Sequence, residues 1–299
     1  ELNIKFDSWL KKDNQNNIYW LEVFARTIQF NETPISIAEQ FNKFQKKSDS
    51  AWIFTSATLS INGSFEHFTK LLGLEEAKTQ YLQSPFNYNE NAFLYVPKEI
   101  PDPKDELFNL VLVKKVLPLI KASKGRAFIL ATSLKSMQEI GALLKDELKK
   151  NEIDYPVITQ GEGPKSDLLH QFKKHGNAVL IGSLSFWEGI DVRGPALSLV
   201  IIDKLPFQSP GDPVFESKIK LLSDEGINAF MSMQLPEAII KLKQGVGRLI
   251  RDDHDKGVMV ICDKRIIEKS YGIKIWKSLP AFKRTRNESA VINFLEELE

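Results

Sequence analysis

Gln244, Arg248 and Arg251 lie four and three residues apart in the segment Leu235-Pro-Glu-Ala-Ile-Ile-Lys-Leu-Lys-Gln-Gly-Val-Gly-Arg-Leu-Ile-Arg251. At about 100° of rotation per residue, a helix over residues 236–252 places Lys241, Gln244, Arg248 and Arg251 on one face. Ile239, Leu242, Val246, Leu249 and Ile250 fall on another. Pro236 suits a first helical turn, and Glu237 beside it complements the positive end of the helix dipole. An ordinary amphipathic helix with solvated arginines has the same pattern. Gly245 and Gly247 argue against that plain reading, because each costs a helix about 1 kcal/mol relative to alanine. Close approach of another backbone gives them a reason. Arginine itself carries a planar fork that stays charged and pairs with two oxygens of a carboxylate or phosphate at once.

Four more segments gather polar side chains after apolar runs. Ser183-Leu-Ser185-Phe-Trp-Glu188-Gly189-Ile-Asp191 follows Gly182, and the spacing of Ser185 and Glu188 is also that of a capping box. Leu199-Val-Ile-Ile-Asp203 runs into the proline loop Leu205-Pro-Phe207-Gln-Ser-Pro-Gly-Asp-Pro213, where Phe207 could serve the core as an isolated aromatic usually does. Ser56 and Thr58 in Thr55-Ser-Ala-Thr-Leu59 place hydroxyls where a helix cap would use them, and the pair Thr132-Ser133 places them where a cap or a phosphate would. Capping and phosphate binding draw on the same atoms. Gly161-Glu-Gly163 lacks the third glycine of a dinucleotide loop and reads as a turn. His67, His170, His175 and His254 have no metal-ligand spacing with one another or with Cys262.

The elements that must position these residues follow from periodicity. Apolar runs at 51–55, 92–96, 126–132, 156–160, 178–183, 197–203 and 257–263 are candidate strands. Helical patterns lie at 65–73, 104–121, 134–149, 165–174, 215–224 and 236–252. This alternation predicts an α/β fold, a parallel sheet covered by helices on both faces. In such sheets ligands gather beyond the carboxyl ends of strands. Residues 18–23 and 27–30, rich in β-branched and aromatic types, predict a hairpin.

Composition sets the outer bounds. The chain has 299 residues, is 42% apolar and carries a formal net charge of +1. It can bury a substantial core, and it has no global basic field to draw in nucleic acid. No apolar run approaches the roughly 18 residues of a membrane span. A single cysteine excludes an internal disulfide and a complete iron–sulfur ligand set within this chain, and fits a reducing cytoplasm. The chain begins Glu1-Leu-Asn-Ile without an initiator methionine, which reads as a piece of something longer. No phosphate-binding Gly-x-x-x-x-Gly-Lys-Ser/Thr loop occurs, and no strand ends in an Asp-Glu pair for magnesium. No nucleophile–base set for small-molecule chemistry is apparent either.

In chain order, Thr55–Leu59, Thr132-Ser133, Ser183–Asp191 and Gln244–Arg251 resemble motifs III, IV, V and VI of superfamily 2 helicases of the XPD/DinG family. Ser-Phe-Trp-Glu-Gly-Ile-Asp and Leu-Pro-Phe-x-x-Pro-Gly-Asp-Pro are similar to strings of that family. The resemblance implies a RecA-like second motor lobe over 61–299, with 1–60 closing the first lobe. It implies ATP and Mg2+, both held mainly by that first lobe, and single-stranded DNA as partner. By resemblance Arg251 is the arginine finger with Arg248 and Gln244 beside it, and Glu188, Gly189, Asp191 and Gly247 face the nucleotide. Ser56, Thr58, Thr132, Ser133, Ser183, Ser185 and Phe207 fall on the DNA side. Such a lobe alone is expected not to hydrolyse ATP. A motor-like half of a DinG-type 3'-5' exonuclease and a nucleic-acid binding module without ATPase activity are the alternatives.

Overall fold

The computed structural model describes residues 2–47, 49–183, 186, 192, 196–208 and 210–298. Cα packing divides the chain into two compact units, Glu1–Leu82 with Phe207–Glu237, and Gln83–Pro206 with Ala238–Glu299.

The second unit holds a seven-stranded sheet. Its strands are β3 (Ala92–Tyr95), β4 (Ala127–Ala131), β5 (Val157–Thr159), β6 (Val179–Ser183), β7 (Leu199–Ile202), β8 (Gly257–Ile261) and β9 (Lys283–Thr285). They lie in the order β5-β6-β4-β7-β8-β3-β9, and every neighbouring pair is parallel. Alternate strand residues, among them Phe93, Tyr95, Ile129, Ile181, Ile201 and Val260, share one core with α5 (Phe108–Ala122), α6 (Leu134–Lys150) and the carboxy-terminal helix Glu288–Glu296. The intervening Leu94, Phe128, Leu180, Val200 and Met259 are equally buried. Side chains alternate across a strand, so burial at both parities means that both faces are covered, as the unbroken apolar runs require. The expected α/β sheet is the sheet observed. β9 was not expected: Lys283-Arg-Thr285 has no apolar run, and as an edge strand it is charged, with Lys283 Nζ 4.9 Å from the Phe93 ring centre.

In the first unit, β1 (Asn17–Val23) and β2 (Ile28–Pro34) form the expected antiparallel hairpin, from Asn17 opposite Pro34 to Val23 opposite Ile28. Trp9 packs edge-on against Phe30 and donates its indole N–H to the Asn31 carbonyl at 2.9 Å. Helix α2 (Ala38–Gln45) supplies Phe41 and Phe44 to a cluster with Trp52 and Phe54. Residues 51–55, expected as a strand, form none. A strand needs a neighbour for its backbone groups, and among the described residues this run has no ladder partner. It stays exposed, with Ile53 at 85%.

Candidate nucleotide and nucleic-acid site

The carboxyl ends of β4 and β7 are joined by a carboxylate. Asp203, immediately after β7 and fully buried, accepts the backbone N–H of Thr132 at 2.9 Å and of Lys204 at 2.6 Å on Oδ1. Its Oδ2 accepts the hydroxyls of Thr132 at 3.2 Å and Ser136 at 3.0 Å. Burial pushes Asp203 up to about 6, against the opposing pull of Lys204 and of these donors. Thr132 thus turns its polar atoms inward. Ser133 is exposed and caps α6, its Oγ accepting the Ser136 N–H at 3.1 Å. One strand further along, Asp263 follows β8 and is also fully buried. It accepts the Leu205 N–H at 2.8 Å and pairs with the Arg265 guanidinium at 2.6 Å. Cys262 lies buried with these carboxylates, and burial, with both charges, raises its thiol well above the usual range.

The end of β6 carries Ser183, whose N–H and hydroxyl both donate to Gln160 Oε1, at 2.7 and 2.9 Å. Gly182 is required just before it. A Cβ there would meet the Phe186 ring at 2.8 Å, and Phe186 is buried edge-on against Phe128. The remaining residues expected in this segment, Ser185, Glu188, Gly189 and Asp191, lie outside the described residues.

The arginine segment differs from expectation in two respects. Helix α9 (Leu235–Val246) ends six residues before the expected 252, and Gly247 to Leu249 form a turn closed by Arg248 N–H to Gly245 O at 3.1 Å and Leu249 N–H to Val246 O at 3.0 Å. Arg248 and Arg251 therefore lie beyond the helix rather than along its polar face. The apolar periodicity continues through Leu249 and Ile250, both buried, and hides the break that the glycines permit. A Cβ on Gly247 would find only ordinary contacts, at 3.5 and 3.7 Å, so no other part of the described chain presses on it. Gly247 is exposed, and Gln244, Arg248 and Arg251 are half-buried, with Arg248 Nε fully so.

The second difference is location. Arg251 and Asp252 donate their N–H groups to Asp255 Oδ2 at 2.9 and 3.1 Å, which fixes the turn that leads to β8. Asn91, just before β3, donates to the Asp253 carbonyl at 2.9 Å. These ties place the turn at the amino ends of β3 and β8. Thr132, Ser183 and Asp203 stand at the carboxyl ends of β4, β6 and β7. Thr132 and Ser183 thus stand at carboxyl strand ends, as expected of their segments, and the arginines stand at amino ends, in the turn that leads into β8.

Residues of the first unit are arranged separately. Ser56 and Thr58 form a local turn, Thr58 N–H donating to Ser56 Oγ at 3.2 Å, and Ser56 is exposed. Phe207 is half-buried, 5.3 Å from the Phe230 ring centre. Among the described residues no group of three or more His, Cys, Asp or Glu side chains could hold a metal ion, and no helix is long and apolar enough to cross a membrane.

Sequence reasoning missed Asp203 and Asp263 as organisers, although each is an acid that ends an apolar run, a signal that was available. Gln160 gave no signal in the sequence.

Residues 116–282 match the helicase C-terminal domain family. The chain is 44% identical to the ATP-dependent DNA helicase YoaA of Haemophilus influenzae, over 96% of this chain and 45% of the relative. It is 32% identical to the 3'-5' exonuclease DinG of Bacillus subtilis, over 91% of this chain and 29% of the relative. A solved XPD helicase superposes with a TM-score of 0.64 at 18% identity, covering 95% of this chain and 50% of that one, which establishes the likeness of fold. The chain thus spans under half the length of these curated relatives.

Proposed function

From a chain that belongs to the helicase C-terminal domain family, we infer a second motor lobe of an ATP-driven DNA helicase or translocase of the XPD/DinG type. The observation that carries this is the turn after α9, where Gln244, Arg248 and Arg251 are held half-buried at the amino edge of the sheet. Hydrolysis of a triphosphate spreads charge over the oxygens of the γ-phosphoryl group, and a positioned guanidinium stabilises that charge as it develops. Arg251 takes this role. The Asp255 carboxylate fixes its backbone, so less ordering is needed when a phosphate arrives. Arg248 and Gln244 flank it, Gly247 leaves room, and Glu188, Gly189 and Asp191 complete the nucleotide side.

ATP and Mg2+ are held mainly by a first lobe, to which residues 1–60 belong; 61–299 form the second. The exposed strand-like run 51–55, which has no ladder within the described chain, supports that assignment. Single-stranded DNA is gripped by Ser133 at the carboxyl edge, with Thr132 and Ser183 held behind it, and by Ser185, Ser56, Thr58 and Phe207. The protein works in the cytoplasm. A relative named as an exonuclease carries the same lobe, so a nuclease-coupled motor is the second reading, with the same arginine chemistry.

The purified 299-residue chain should not hydrolyse ATP, with or without single-stranded DNA, because its arginines have no held triphosphate to act on. Turnover that survives removal of contaminants would overturn the half-motor assignment.

A further inference from the structure

Gln160 follows β5, and its side chain reaches across to the end of β6. The Ser183 backbone N–H has only a proton to offer, so the atom 2.7 Å from it must be the carbonyl oxygen of the Gln160 amide. The Ser183 hydroxyl donates to the same oxygen at 2.9 Å. This fixes the plane and the direction of the amide. Its nitrogen, with two protons, faces away from Ser183, and among the described residues it has no acceptor. The side chain is half-buried, so these donors are held rather than freely rotating.

The neighbourhood suits an anion. Gly161, next in the chain, adopts φ +101°, and a Cβ there would meet nothing within 4 Å, so the backbone just after Gln160 borders open space. Lys165 lies close by, its Nζ 5.2 Å from the ring centre of Phe186, the residue that packs on Gly182 beside Ser183. The carboxylate two residues along, Glu162, is engaged twice, by the Thr159 N–H at 2.8 Å and by Lys145 at 2.9 Å.

We propose that Gln160 is a nucleic-acid contact at the carboxyl edge of the sheet, its oxygen locked on Ser183 and its amide N–H groups donated to a backbone phosphate of single-stranded DNA. This rests on the DNA-gripping role proposed above. A neutral amide adds direction without adding charge, which is the part a phosphate contact plays in setting register.

Gln160→Glu separates the two halves of the amide. A carboxylate oxygen accepts the same two bonds from Ser183, while the outward donor is replaced by a negative oxygen facing phosphate. Binding of a fluorescein-labelled oligothymidylate to the 299-residue chain is read by anisotropy in low salt, with thermal melting as the check on folding. Gln160→Glu should melt with the wild type and bind at least about tenfold more weakly. Asn293→Asp, an equal change of charge at an exposed position of the carboxy-terminal helix by the far edge of the sheet, should stay within about twofold. Equal binding by Gln160→Glu and wild type would overturn the proposal and leave the gripping role standing, since a purely structural Gln160 is served by glutamate. Equal weakening in Asn293→Asp would overturn it as well, by showing only a general charge effect. No binding by the wild type would remove both.

Discussion

The two compact units treat apolar residues in opposite ways. In the sheet unit, β3, β4, β6, β7 and β8 are buried at every position, and two carboxylates are carried inside with their donors supplied. In the other unit, Leu21, Val23, Phe24, Ile28, Phe30, Phe44, Ile53 and Leu82 are all exposed. The amino-acid types are alike, so the difference lies in whether the chain itself provides the other side of each element. A parallel sheet with helices on both faces is complete as it stands. A hairpin and an unpaired strand-like run are not. Substitutions should therefore act strongly in one unit and weakly in the other.

Asp203 offers the largest contrast. Asp203→Ala leaves the Thr132 and Lys204 N–H groups and the Thr132 hydroxyl without their acceptor, while Ser136 keeps Asn109 Oδ1 at 3.0 Å, a loss of roughly 2–4 kcal/mol in chemical denaturation. Asp203→Asn keeps a carbonyl for the two N–H groups and should cost less. The two forms also differ with pH. Burial raises the folded carboxyl from 3.8 to about 6, so the wild type has its full contribution from this group below about pH 4 and loses it as pH rises through about 6. Over that window the wild type should lose on the order of 2–3 kcal/mol relative to Asp203→Asn. A stability difference flat from pH 4 to 7 would mean that the carboxyl is not strained by burial.

At the other extreme, Ile53→Lys should change the stability of the 299-residue chain by no more than about 0.5 kcal/mol, because the side chain is already in water. A loss above about 1.5 kcal/mol would show that the run is packed within this chain and erase the contrast between the units.

What could be read from the sequence follows the same division. The runs at 92–96, 126–132, 178–183, 197–203 and 257–263 became strands because burial on both faces leaves an unbroken apolar signature. β9 has only Lys283-Arg-Thr285 and owes its place to a neighbour, Phe93 opposite Lys283, far away in the chain. The run at 51–55 has the strand signature and no strand, since the signature reports that a segment can pair and not whether a partner strand lies beside it. The end of α9 at Val246 was hidden for another reason. Leu249 and Ile250 continue the helical period while serving the core from a turn. The arginines were visible in residue type, but their place at the amino ends of β3 and β8 depends on backbone ties, Arg251 to Asp255 and Asp253 to Asn91, that no periodicity reports. Asp203 and Asp263 were visible in type only, and their partners, Thr132 and Leu205 among them, come from other strand ends.

The arginine turn bears most directly on the proposed role, and it is tested in the full-length protein. Arg251→Ala should leave ATP affinity within a modest factor while DNA-stimulated hydrolysis falls by roughly 10³ or more, and Arg251→Lys should restore little because it keeps the charge and loses the planar fork. Hydrolysis at the wild-type rate by a folded Arg251→Ala protein would contradict the account, and would leave the turn after α9 a solvated loop with no part in the chemistry.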